Sequence, residues 1–234
     1  MSKLIAIHQP NFFPWLGYFN KIARSDKFIF LDNVQFSKTG GGWGNRVQLL
    51  INNSPTWVTM PIVRAYHGTR CIYEMEINNN TPWREKMMRT FTVNYGRTPF
   101  FKEVFPILEM LINYPTNSLA DYNINAIRTL SLAMELDISK LISGSSLDVG
   151  SHATDLLIEM VKAVGGTTYL SGGGADGYQE DEKYESSGIK LIYQDFQHPE
   201  YSQHKAKDFV PGMSILDTLM NCGFEQTSQL IGSV

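Results

Sequence analysis

Short apolar runs alternate with amphipathic stretches along this chain, and polar residues gather directly behind the runs. Residues 4–7 are apolar and are followed at once by His8, Gln9, Pro10 and Asn11, which reads as a buried strand ending in a loop. Pro10 and Pro14 keep that loop from becoming helical. Trp15, Leu16, Phe19, Ile22 and Ala23 then recur at helical spacing, and residues 28–31 form a second apolar run that closes on Asp32, Asn33 and Gln35. Strand, helix and strand in about thirty residues is the size of a parallel βαβ unit. The pattern returns later: a short run at residues 139–143, an amphipathic helix over 152–164, and a strand over 167–170 that stops at Ser171, Gly172, Gly173 and Gly174. A last strand is predicted at 189–193. This repetition predicts an α/β fold with a parallel sheet.

Between these units the pattern changes. Alternation at 47–51 and 57–61 predicts a β-hairpin turning near Asn52, Asn53, Ser54 and Pro55, and residues 72–77 read as a further short strand. Thr81, Pro82 and Glu85 look like a helix start, and helical spacing continues over 101–112 and 119–136, where Leu119, Ile124, Ile127, Leu130, Leu132 and Met134 are spaced for burial. The chain is thus expected to be a single α/β domain over 1–234, with 81–136 as a helical insertion or cap. A helix beginning near Ser214 is expected to end at Gly223, with a tail after Gln226.

Composition narrows the function classes. Hydrophobic residues make up 43% and charged residues 18%, as in an ordinary globular protein, and a net charge of -3 offers no basic stripe for nucleic acid. No apolar run approaches a membrane span, and residues 1–10 are too short in apolar length for a signal peptide, so cytoplasmic residence is expected. Cys71 and Cys222 are expected as buried free thiols rather than a disulfide, with a catalytic thiol at Cys222 the alternative. The five histidines show no metal-ligand spacing, so no metal is expected, and neither a P-loop nor a G-x-S-x-G elbow is present.

The chemistry-bearing residues fall where an open parallel sheet binds ligands, outside the carboxyl ends of its strands. His8, Gln9 and Asn11 follow the first strand, Trp15, Gly17 and Tyr18 open the helix behind it, and Gln35 and Lys38 follow the second. Arg46 closes a glycine-rich stretch that reads either as a flap carrying Trp43 and Asn45 or as a plain hairpin turn. Ser171, the three glycines, Asp176 and Tyr178 form the expected opposite wall, and His198, Tyr201 and Gln203 precede a Pro-Gly turn. A structural role for Tyr201 is equally compatible with the sequence, and His67 reads as a solvated loop residue. His8 beside Asp32 or Asp176 is the candidate pair of base and orienting carboxylate, with a hydrogen-bonded structural His8 at the strand end as the alternative. Asn123 is expected at the surface.

The runs HQPNFFPWLGYFNKIARSDKFIFLDNVQFSK, YLSGGGADGY and YSQHKAKDFVPGMSILDTLMNCG resemble the WbqC-like protein family of bacterial polysaccharide gene clusters over nearly the whole chain. The resemblance implies a role in O-antigen biosynthesis, with glycine transfer to an amino sugar as the proposed activity. The partners it implies are a nucleotide-linked amino sugar and a small acyl or aminoacyl donor. A fainter resemblance, to nucleotidyltransferases of the HxGH type and to pantothenate synthetase, implies a Rossmann-like, HUP-like three-layer core and possible use of ATP. Here the sequence departs from the motif, since Trp15 and Tyr18 stand where the two histidines would be. Nucleotidyl transfer to a sugar phosphate and a non-catalytic scaffold are the alternatives.

Overall fold

Five short strands line up in one parallel sheet in the computed structural model, which describes residues 2–37, 42–173 and 180–232. The strands β1 (Leu4–His8), β2 (Lys27–Phe30), β5 (Leu141–Ser143), β6 (Thr168–Ser171) and β7 (Lys190–Tyr193) stand in the order β5-β2-β1-β6-β7. A separate antiparallel hairpin joins β3 (Arg46–Ile51) to β4 (Ser54–Thr59). Its turn is tighter than the sequence suggests. Only Asn52 and Asn53 lie between the strands, both at positive φ, and Pro55 already pairs with Leu50.

The alternation of side chains along the strands builds two cores. Ala6, Phe28, Phe30 and Leu170 point to one face, while Ile5, Ile7, Ile29 and Tyr169 point to the other. The first face is covered by α1 (Leu16–Arg24) and α7 (Ile215–Gly232), together with the helical block α2 (Trp83–Tyr95), α3 (Phe101–Ile112) and α4 (Leu119–Ala133). The second is covered by α5 (Ala153–Ala163) and α6 (Asp181–Ser186). Helices on both faces explain why the strands read as continuous apolar runs.

Three expectations need correction. Residues 72–77 form no strand: Ile72–Glu74 is a single 3-10 turn, with isolated bridges from Cys71 to Gln35 and from Ile77 to Ile62. Leu132 is 61% exposed, because α4 buries the face through Ile127 and Leu130 and turns Leu132 outward. The chain beyond Gln226 is no tail. Gly223, at φ +73, kinks α7, and helix resumes as far as Gly232, with Ile231 buried and its carbonyl accepting from Asn20 Nδ2 at 2.9 Å. A Cβ at Gly223 would stand 2.6 Å from the Phe100 ring, so glycine there serves close packing as well as the left-handed backbone.

Candidate functional site

The loop after β1 is fastened from three sides before any ligand is considered. Ser214 Oγ donates to Phe13 O at 2.7 Å and Ile215 N to Pro14 O at 2.8 Å, so the start of α7 holds the loop from below. Asn123 Nδ2 donates to Pro10 O and to Gly44 O, at 2.8 and 2.7 Å. Phe12 N donates to Trp43 O at 2.9 Å, tying the glycine-rich segment to the same loop. Phe13 sits at φ +42, a conformation that costs free energy for a bulky residue and persists here because these bonds over-determine it. Asn123 is therefore buried, contrary to its expected surface position, and its signal was its place one turn from Leu119 and Ile127 on the apolar face of α4.

Above this loop lies a cavity of about 940 Å³ between the tips of β1 and β6. Those two neighbours are where the strand order changes direction, the crevice in which open α/β sheets bind ligands. His8 and Gln9 line it from β1, Gly17, Tyr18 and Lys21 from α1, Ser171, Gly172 and Gly173 from β6, and Gln35, Trp43 and His198 from loops. The aromatic wall comes in two groups: the Trp15 and Trp43 rings lie 4.9 Å apart with His8 4.8 Å from Tyr18 and 5.8 Å from Trp15, and Phe196 contacts His198 edge-on at 5.2 Å. Gly17 makes that wall possible. A Cβ there would stand 2.9 Å from both Phe196 and Trp15 Nε1, and Gln194 Nε2 donates to the Gly17 carbonyl at 2.8 Å.

The electrostatics of the cavity centre on a residue absent from the predicted site. Lys21 is 2% exposed, and its Nζ donates to Ile7 O at 3.0 Å, its sole hydrogen bond among the described residues. Burial, with no counter-charge beside it among the described residues, pulls its pKa down to about 7. The same enclosure, reinforced by the neighbouring Lys21 charge, lowers His8 to about 3, with the bond to Gln9 O acting weakly the other way. His8 is thus neutral at pH 7. Its Nδ1–H donates to Gln9 O at 3.2 Å, which leaves Nε2 as an acceptor. Gly17, Tyr18 and Lys21 occupy positions i, i+1 and i+4 of α1, so a lysine recurring on the helix face that begins at Gly17 was the available sequence signal. The amino ends of α1, at Gly17 and Tyr18, and of α5, at Ala153 and Thr154, meet the same cavity.

Several predicted site residues lie elsewhere. Both oxygens of Asp32 accept from Ser145, one from its backbone N and one from Oγ, each at 2.7 Å, so Asp32 clamps the end of β2 to the turn after β5 and does not face His8. Asp32→Ala is therefore expected to lower stability by about 1–3 kcal/mol, while Asp32→Asn, which can keep both contacts, is expected to hold most of it; urea unfolding midpoints read the difference. Arg46 stacks on Trp57 at 4.3 Å from the ring centre, outside the cavity. Asn11 is buried beneath the loop. Tyr201 and Gln203 bond to Asp217, at 2.6 and 2.9 Å, and so belong to a structural cluster rather than to the cavity. Lys38, Gly174, Asp176 and Tyr178 fall outside the described residues. Cys222 is buried and its thiol is pushed up to about 11, the direction of an inert sulfhydryl. Among the described residues no group of three or more potential ligands could hold a metal ion, and no helix is long and apolar enough to cross a membrane.

The fold and cavity define an α/β protein with a cavity at the switch point of its parallel sheet. The chain belongs to the WbqC-like protein family, whose model matches residues 9–229. It is also similar to the uncharacterized protein Rv1507c of Mycobacterium tuberculosis, with 28% identity over 232 residues covering 97% of each chain. No solved structure matches.

Proposed function

We propose that the protein is a transferase of surface-polysaccharide assembly that forms an amide between an activated small acyl or aminoacyl group, glycine foremost, and a nucleotide-linked amino sugar. The observation that carries the reading is the pairing, in one cavity, of a buried lysine and two helix amino ends with an aromatic wall. The first would hold a diphosphate, and Trp15, Trp43, Tyr18 and Phe196 would stack on a base or sugar. A volume of about 940 Å³ suits a ligand of that size. The strand order β5-β2-β1-β6-β7, with the site between β1 and β6, supports a Rossmann-like, HUP-like assignment and with it the use of ATP to activate the carboxylate.

In that route the carboxylate oxygen attacks the α-phosphorus of ATP and pyrophosphate leaves. The sugar amine then attacks the carbonyl carbon, the bond to AMP breaks, and the ammonium proton passes to solvent. His8 is too weak a base to take that proton, because its conjugate acid lies near 3. Its Nε2 instead orients the attacking amine by accepting a hydrogen bond. Purified protein incubated with glycine, ATP and a nucleotide-linked amino sugar is expected to yield an amide-linked sugar and AMP, detected by mass spectrometry. Absence of that product with both free and activated glycine donors would sink the reading. The same strand order favours a second one, nucleotidyl transfer to a sugar phosphate, which would release pyrophosphate without any amine.

A further inference from the structure

We infer that Lys21 is the cation that receives the ligand's diphosphate, and that the site takes up a proton as this anion enters. The inference rests on the reading above only in taking the ligand to carry a diphosphate. The geometry begins with Nζ, which is buried under the β1 tip, faces the cavity and stands 3.8 Å from where a Cβ on Gly172 would lie. Gly172 thus leaves open the space directly beside the amine. An ammonium has three protons to donate, and Ile7 O accepts one. The remaining donors have no acceptor among the described residues, so the empty site favours the neutral amine, and a phosphate oxygen arriving there restores the charged form.

The other titratable groups facing the cavity cannot supply this proton. They are His8 from β1, Tyr18 from α1, Tyr169 from β6 and His198 from the segment after β7, and no described carboxylate lines it. His8 and His198 are both shifted below the ordinary histidine range, and Tyr18 and Tyr169 are shifted above the ordinary tyrosine range, all chiefly by burial. Between pH 7.5 and 9.5 Lys21 is therefore the described cavity group that gains charge when the anion binds.

Isothermal titration of the full chain with UDP and with ADP, in two buffers of different ionisation enthalpy, tests this. Both probes are essentially fully ionised at their phosphates over that pH window, and ADP, unlike UDP with its uracil N3–H, carries no other group that titrates there, so any proton linked to ADP binding belongs to the protein. Affinity is expected to fall about tenfold per pH unit from 7.5 to 9.5, with uptake approaching one proton per ligand. Lys21→Met is expected to bind at least tenfold more weakly at pH 7.5 and to show neither the slope nor the uptake. Proton-neutral, pH-independent binding by the unaltered protein would overturn the inference, as would the absence of diphosphate binding or a Lys21→Met variant with unaltered affinity. Proton-linked binding without amide product removes the proposed reaction and leaves Lys21 its role. Amide product with proton-neutral binding does the reverse.

Discussion

Lys21→Met is expected to stabilise the ligand-free protein at pH 7 and to flatten a rise in stability that the unaltered chain shows between pH 7 and 9. The folded amine titrates near 7 and the unfolded one at 10.5, so in this window the unfolded chain holds a proton that the folded chain lacks. Stability then climbs with pH by up to about 1.4 kcal/mol per unit, on the order of 2 kcal/mol across the window. The contribution of a depressed pKa is complete above 10.5 and lost as pH falls through 7. His8 acts in the same sense lower down, its contribution present above 6.5 and lost as pH falls toward 3. Cys222 and the buried tyrosines have raised values and act oppositely, removing stability above about pH 9 and 10, so the curve should turn over there. Unfolding free energies from urea titrations at half-unit pH steps read all of this. A curve that is flat from pH 7 to 9 in the unaltered protein would contradict the burial of a free amine.

Asp217→Ala is expected to cost on the order of 3–5 kcal/mol, the range for removing the acceptor from a buried polar cluster. Asp217 is fully buried near the start of α7 and accepts from Tyr95 OH at 2.8 Å, Tyr201 OH at 2.6 Å and Gln203 Nε2 at 2.9 Å. Tyr95 OH in turn accepts from Leu50 N of β3 at 2.9 Å, so one carboxylate joins α2, the hairpin, the C-terminal loop and α7. Alanine would remove the acceptor of the Tyr95 and Tyr201 hydroxyls, while Gln203 Nε2 would keep Val210 O at 3.0 Å. Asp217→Asn keeps an acceptor oxygen and is expected to lose less. Ser214 and Ile215 sit in the preceding turn and hold the loop at Phe13 and Pro14. Loosening α7 should therefore reach the cavity wall, and the emission of Trp15 should shift along with the urea midpoint.

These two residues show what patterning reveals and what it hides. The parallel sheet was legible because strands buried on both faces must be short, apolar and followed by polar turns, and β1, β2 and β6 all obey. The location of the cavity was legible for the same reason, since residues such as His8, Gln9, Ser171 and Gly172 follow strand ends. The family resemblance also stood in the residues, and the family model covers residues 9–229. Roles were harder to see. Asp32 looks like an orienting carboxylate until Ser145, more than a hundred residues away in the chain, occupies both of its oxygens. Tyr201 and Gln203 look like loop binding groups until Asp217 claims them. Arg46 looks like an anion partner until it stacks on Trp57.

The sequence by itself determined the α/β class, the parallel strands and the edge of the sheet that carries the polar residues, because periodicity and strand-end composition are local properties of the chain. Tertiary structure alone decided which of those polar side chains remain free to meet a ligand. A carboxylate or an amide is committed by whichever donor folds against it, and that donor comes from a distant segment. It also decided that Lys21 matters: a lysine in a helix reads as a solvated charge until the packing of β1, α1 and β6 around it removes the water and leaves an amine facing the cavity.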